Sequence, residues 1–145
     1  MIRTARILGA MALGLVAAPA LAASDAFIAG AAAYNEGFAS DVRPSEVSDF
    51  IYCAGYWSAW SDATSDDGPM TEADLQVLDV ALKPPSSHGM AIAMLFDLDE
   101  TEETNAQVDL AKTEANQLLK DALGGKVEAA EDLFRSLGRC QFEEG

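Results

Sequence analysis

From residue 24 onward, apolar side chains recur every three or four positions, and no run alternates apolar with polar for long enough to build a strand. That period predicts an all-α chain. Ser24 stands as an N-cap ahead of Phe27, Ala31, Tyr34 and Phe38, and the stretch Asp41 to Pro44 ends this first helix. A second helix begins near Pro44 or Ser45 and carries Val47, Phe50, Ile51, Tyr52, Cys53, Ala54, Tyr56, Trp57 and Trp60. Wound as a helix, those side chains cover well over half the circumference, with Ser48, Gly55, Ser58 and Ala59 in the narrow remainder. Such a helix belongs in the middle of a bundle. Gly55 costs about 1 kcal/mol relative to Ala inside a helix, so its presence predicts close approach by a neighbouring backbone.

Ser61 to Pro69 is rich in Ser, Asp, Thr, Gly and Pro and reads as a loop. Thr71, with Asp74 three residues on, opens a third helix whose Leu75, Leu78 and Leu82 form a buried stripe until Pro84-Pro85. Ser86 to Gly89 reads as a turn and Met90 to Leu98 as a renewed helical run, while Asp97 to Glu103 is either a break or a charged helix surface. Val108, Ala111, Ala115, Leu118, Leu119 and Ala122 keep the period up to Gly124-Gly125. A last helix holds Val127, Ala130, Leu133, Phe134 and Leu137 before Gly138, with Cys140 just past its end. The expected architecture is a small bundle of about five helices.

The first twenty-two residues stand apart from this pattern. Arg3 and Arg6 precede an apolar core from Ile7 to Ala18, and Ala20-Leu21-Ala22 forms a small-x-small cleavage site before Ala23, the layout of a secretory leader. The core falls well short of the roughly 20 apolar residues needed to span a bilayer. No cysteine stands at residues 21 to 24 for acylation, and Arg3 and Arg6 are not adjacent. The chain is therefore expected to divide into a leader, residues 1–22, and a single acidic domain, residues 23–145, released into the periplasm or secreted without stable membrane insertion.

Charge narrows the partners. Removing Arg3 and Arg6 from a formal net charge of −15 leaves −17. Nucleic acid and anionic lipid are repelled, whereas a cationic partner such as a basic periplasmic protein, a polyamine or a divalent ion is attracted, against the plainer reading that the charge serves solubility. Two cysteines, Cys53 and Cys140, are the whole complement. In an oxidising compartment such a pair is expected as a disulfide, and chain entropy gives roughly 4 to 5 kcal/mol for closing a loop of that span. The absence of a Cys-x-x-Cys pair removes thioredoxin-like exchange and c-type haem attachment from consideration.

Motifs for chemistry are sparse. Tyr52, Tyr56, Trp57 and Trp60 are candidates for lining a pocket for a small apolar ligand, against the plainer reading of an aromatic core. His88, Met90 and Met94 combine imidazole and thioether, which suit copper(I), but without a further nearby ligand they are weak metal candidates. Asp66-Asp67-Gly68 and Asp97-Leu98-Asp99 resemble pieces of a calcium loop but fail its register. Aligning Gly68 at the sixth position puts Ala63 first, and starting at Asp97 puts Val108 at the bidentate position. There is no Gly-x-Ser-x-Gly elbow and no phosphate-binding glycine loop, and His88 is the only histidine. No catalytic residue and no cofactor is therefore assigned.

The expected function is that of an exported helical binding or interaction protein without catalytic machinery. On the two cysteines alone, the expected architecture resembles periplasmic acid chaperones and the immunity proteins of secreted cell-wall amidases. That resemblance implies a stress-related or inhibitory role as the alternative. A carrier of an apolar ligand is the further one.

Overall fold

A computed structural model describes residues 22–142. The leader expected over residues 1–22 lies outside the described residues except for Ala22. Six α-helices follow in order: α1 (Asp25–Ala39), α2 (Val47–Ala63), α3 (Glu72–Gln76), α4 (Ser86–Phe96), α5 (Glu102–Leu123) and α6 (Val127–Arg139). A 3₁₀ turn, Val80–Leu82, lies between α3 and α4. No strand occurs among the described residues, so the fold is all-α.

Helix α2 is central, packed by α4, α5 and α6, while α1 lies along α6. The close approach expected at Gly55 is present. A Cβ there would collide with Ala111 Cβ and with the backbone of Val108 and Lys112 on α5. The α1–α6 seam uses the same device from both sides. A Cβ on Gly37 would strike the Arg135 carbonyl, and one on Gly138 the Tyr34 carbonyl, so backbone meets backbone where side chains would hold the helices apart. Phe134 then fills the middle, edge-on to Phe27 (5.8 Å between centroids) and to Trp60 (5.0 Å), an arrangement favoured by the ring quadrupoles.

The expected disulfide joins Cys53 to Cys140, with Cα atoms 5.3 Å apart. Cys140 is held twice over, because Trp57, one turn beyond Cys53 on α2, donates its indole Nε1–H to the Cys140 carbonyl at 2.7 Å. Cys140 is the C-cap of α6, so this bond satisfies a carbonyl that the end of a helix leaves orphaned.

Several local expectations are corrected. The loop expected from Ser61 begins only at Thr64, because Ala63 is buried and Thr64, whose hydroxyl donates to the Trp60 carbonyl at 3.1 Å, closes α2. The single helix expected from Thr71 to Leu82 is broken after Gln76. Asp79 Oδ1 accepts from the Ala81 backbone N–H at 2.9 Å and turns the chain into the 3₁₀ segment, the local competition by which Asp disfavours a helix interior. Leu78 and Leu82 are buried all the same, with Leu75 partly so. Ser86 to Gly89, expected as a turn, is the first turn of α4. Ser87 is buried with its hydroxyl 3.0 Å from that of Thr64, and His88 Nδ1 lies 2.5 Å from Ser61 Oγ, so tertiary bonds override weak local propensity. The acidic run is a break from Asp97 to Thr101 and then the first turn of α5. Phe38, Val47 and Val127, placed on buried stripes by their spacing, are exposed.

Candidate interaction surface

The aromatic cluster of α2 divides in two. Trp57 and Trp60 are fully buried, and both indoles are spent on carbonyls, Trp57 on Cys140 and Trp60 on Leu82 at 2.7 Å. They are packing, tied to the ends of neighbouring elements. Tyr52 and Tyr56 stack with ring centroids 4.1 Å apart, Tyr56 buried and Tyr52 half-buried, and their hydroxyls bond side chains of the neighbouring helices. Tyr56 Oη donates to Glu114 Oε1 at 2.9 Å and Tyr52 Oη pairs with Ser136 Oγ at 3.0 Å. Burial first, then Tyr52 and the Glu114 carboxylate, push the Tyr56 hydroxyl well above the usual phenol range. The two tyrosines edge a polar groove shared with Glu114, Asp132, Arg135 and Arg139, and Tyr52 also borders a cleft beside the disulfide with Arg43 and Asp49. Neither is an aromatic-lined cavity. Arg43 is committed to the C-terminal carbonyls of α1, among them Ser40 at 3.0 Å and Phe38, with its guanidinium 5.5 Å from the Phe38 ring centre. Arg135 is committed to Glu36 at 3.2 Å.

The three weak copper candidates share α4 but do not converge. Met94 is fully buried in the core, Met90 is partly buried against it, and the His88 Nδ1 is engaged by Ser61. Among the described residues no group of three or more His, Cys, Asp and Glu is placed to hold a metal ion.

What α4 shows instead is an unpartnered face. From Met90 to Phe96 it is apolar without interruption. A helix apolar all round belongs inside a protein or against a partner. Only one side is covered: Ala91 and Met94 face the core, while Ile92, Leu95 and Phe96 point outward, Ile92 67% and Phe96 85% exposed. Val80, on the 3₁₀ turn packed against α4, is exposed as well. A cluster of large exposed apolar side chains marks an interaction site more often than scattered single ones do.

The rim of this face is negative. Five of the seven residues from Asp97 to Glu103 are acidic, and none forms an ion pair among the described residues. Glu102 and Glu103 suit the N-terminus of α5, whereas Asp97, Asp99 and Glu100 follow the C-terminus of α4, whose dipole is already negative. The sequence does not mark this face, because a run apolar on every side gives no sign of which side the fold will cover. No helix among the described residues is long and apolar enough to cross a membrane. Comparison with family models, with curated proteins and with solved structures finds no match to this chain.

Proposed function

We propose that the mature chain is an exported binding protein that receives a basic protein partner on the outward face of α4 and performs no bond chemistry of its own. The observation that carries this reading is the exposed stripe of Ile92, Leu95 and Phe96 beside the unpaired acids Asp97, Asp99 and Glu100. The apolar stripe supplies the area to be buried. The acids, with the negative end of the α4 dipole and the charge of the whole domain, select a cationic surface and speed its approach. The same charge disfavours an anionic membrane as the occupant.

Burying a large apolar side chain contributes about 1.5 to 3 kcal/mol, which is roughly tenfold to a hundredfold in affinity per anchor. Affinity capture from native periplasm with the mature protein tests this. Phe96→Ala is expected to weaken capture of the partner at least about tenfold, and raising the salt concentration is expected to weaken it further. Phe96 is exposed, so its removal leaves folding within about 0.5 kcal/mol of the parent. Capture indifferent both to Phe96→Ala and to salt would overturn the proposal.

A further inference from the structure

Asp74 is the one buried acid of the described residues, only 7% exposed. Its Oδ2 accepts from the Thr71 hydroxyl at 2.8 Å, and its Oδ1 accepts from the backbone N–H of Ser24 at 2.9 Å, fifty residues away in sequence. No Lys, Arg or His nitrogen lies within ion-pairing distance of it among the described residues. A buried carboxylate without a cation is costly unless something compensates it. The group that reaches it, Ser24, stands two residues beyond Ala22.

We propose that removal of the leader supplies the missing cation: cutting the Ala22–Ala23 peptide bond frees an α-ammonium group at Ala23 that docks on Asp74. The hydrolysis consumes one water and leaves a carboxylate on Ala22 and the ammonium on Ala23. Consecutive backbone nitrogens are separated by at most about 3.6 Å, and Ser24 N already lies 2.9 Å from Asp74 Oδ1. The new ammonium therefore falls within about 6.5 Å of the carboxylate, and a modest turn of the two residues ahead of α1 brings it into the roughly 4–6 Å over which an opposite charge acts. A cut one residue later places the ammonium on Ser24 itself, in direct contact. Before cleavage the same nitrogen is a neutral amide and offers no charge. A positive charge just ahead of α1 opposes that helix's dipole, and Asp25 in the first turn and Asp74 across the contact are what make it tolerable. Processing thus locks the start of α1 onto α3, in a form of the protein that exists only after export.

The test compares the mature chain beginning at Ala23 with the same chain acetylated at its α-amine, each with Asp74 intact and with Asp74→Asn, which keeps the acceptor for Ser24 and removes the charge. Acetylation is expected to lower the melting temperature by about 3–5 °C with Asp74 present and to leave the Asp74→Asn chain unmoved. Equal shifts in both backgrounds, or none in either, overturn the proposal. Should Asp74→Asn fail to fold, one glycine added before Ala23 moves the ammonium a residue away. It is expected to lose part of the same shift, and an unchanged melting temperature overturns the pair. Intact mass spectrometry of natively exported protein supplies the last condition, since a chain beginning anywhere but Ala23 or Ser24 overturns the proposal.

Discussion

At the scale of single residues, the polar groups of the core behave as bond makers whose loss exceeds their size. Trp57→Phe keeps most of the ring volume but leaves the Cys140 carbonyl, buried at the end of α6, without its donor. A buried acceptor left unsatisfied costs about 1 to 3 kcal/mol, so urea denaturation of Trp57→Phe is expected to show a lower midpoint with an unchanged slope. Tyr34 carries a pH dependence of definite sign. Burial first, and then the negative charge of Asp79, push its hydroxyl up to about 12 from an ordinary 10, with Arg43 opposing. The folded state keeps the proton where the unfolded state has released it. The contribution of Tyr34 is therefore full below the unfolded value and is lost as pH rises from there through the folded value. Alkaline titration is expected to show this loss between about pH 10 and 12, and Tyr34→Phe to flatten it. Asp49 has the opposite sign. The backbone N–H groups of Ser45 and Glu46 hold its carboxyl below the ordinary carboxylate range, so what it gives the start of α2 is present above that range and lost as pH falls through the lowered value.

At the scale of elements, two local rules disagree about Gly55. Helix propensity favours Gly55→Ala by about 1 kcal/mol, whereas packing forbids it, because the new methyl would meet backbone atoms of α5 as well as a side chain. Backbone does not yield as a flexible side chain does, and overpacking costs about 1 to 3 kcal/mol. Gly55→Ala is therefore expected to lower the melting temperature, and a rise would show that α5 can step aside. The legibility of the fold divides along similar lines. The long helices α1, α2, α5 and α6 were readable because an apolar stripe of several turns between Gly, Pro and Ser punctuation has few alternatives. Gly55 was readable because a glycine in an otherwise strong helix needs a spatial reason. The region from Thr71 to Gly89 was not, since its boundaries depend on bonds between distant residues: Asp79 bending the chain, Ser87 meeting Thr64, His88 meeting Ser61. The exposed apolar face of α4 was illegible for a related reason. Spacing placed Met90 and Met94 on one side of α4, but only the fold decides that Ile92 and Phe96 are the residues left outside.

At the scale of the whole molecule, the disulfide joins the central helix to the last one across 87 residues. Chain entropy assigns about 4 to 5 kcal/mol to a loop of that length, comparable with the net stability of a small domain. The Cys53→Ser, Cys140→Ser double variant is expected to lose stability on that order in thermal and urea unfolding, and retention of the parent midpoint would show that the Trp57 bond and the α1–α6 seam suffice. Helix α4 lies within the closed loop but carries neither cysteine, resting on α2 and on the 3₁₀ turn before it. Its amide protons should therefore trade with deuterium through small local openings, at rates that leave the exchange of α2 and α6 undisturbed. On the function proposed above, a helix that opens on its own over a cross-linked base would let a bound visitor be gripped or let go without the rest of the molecule losing its shape.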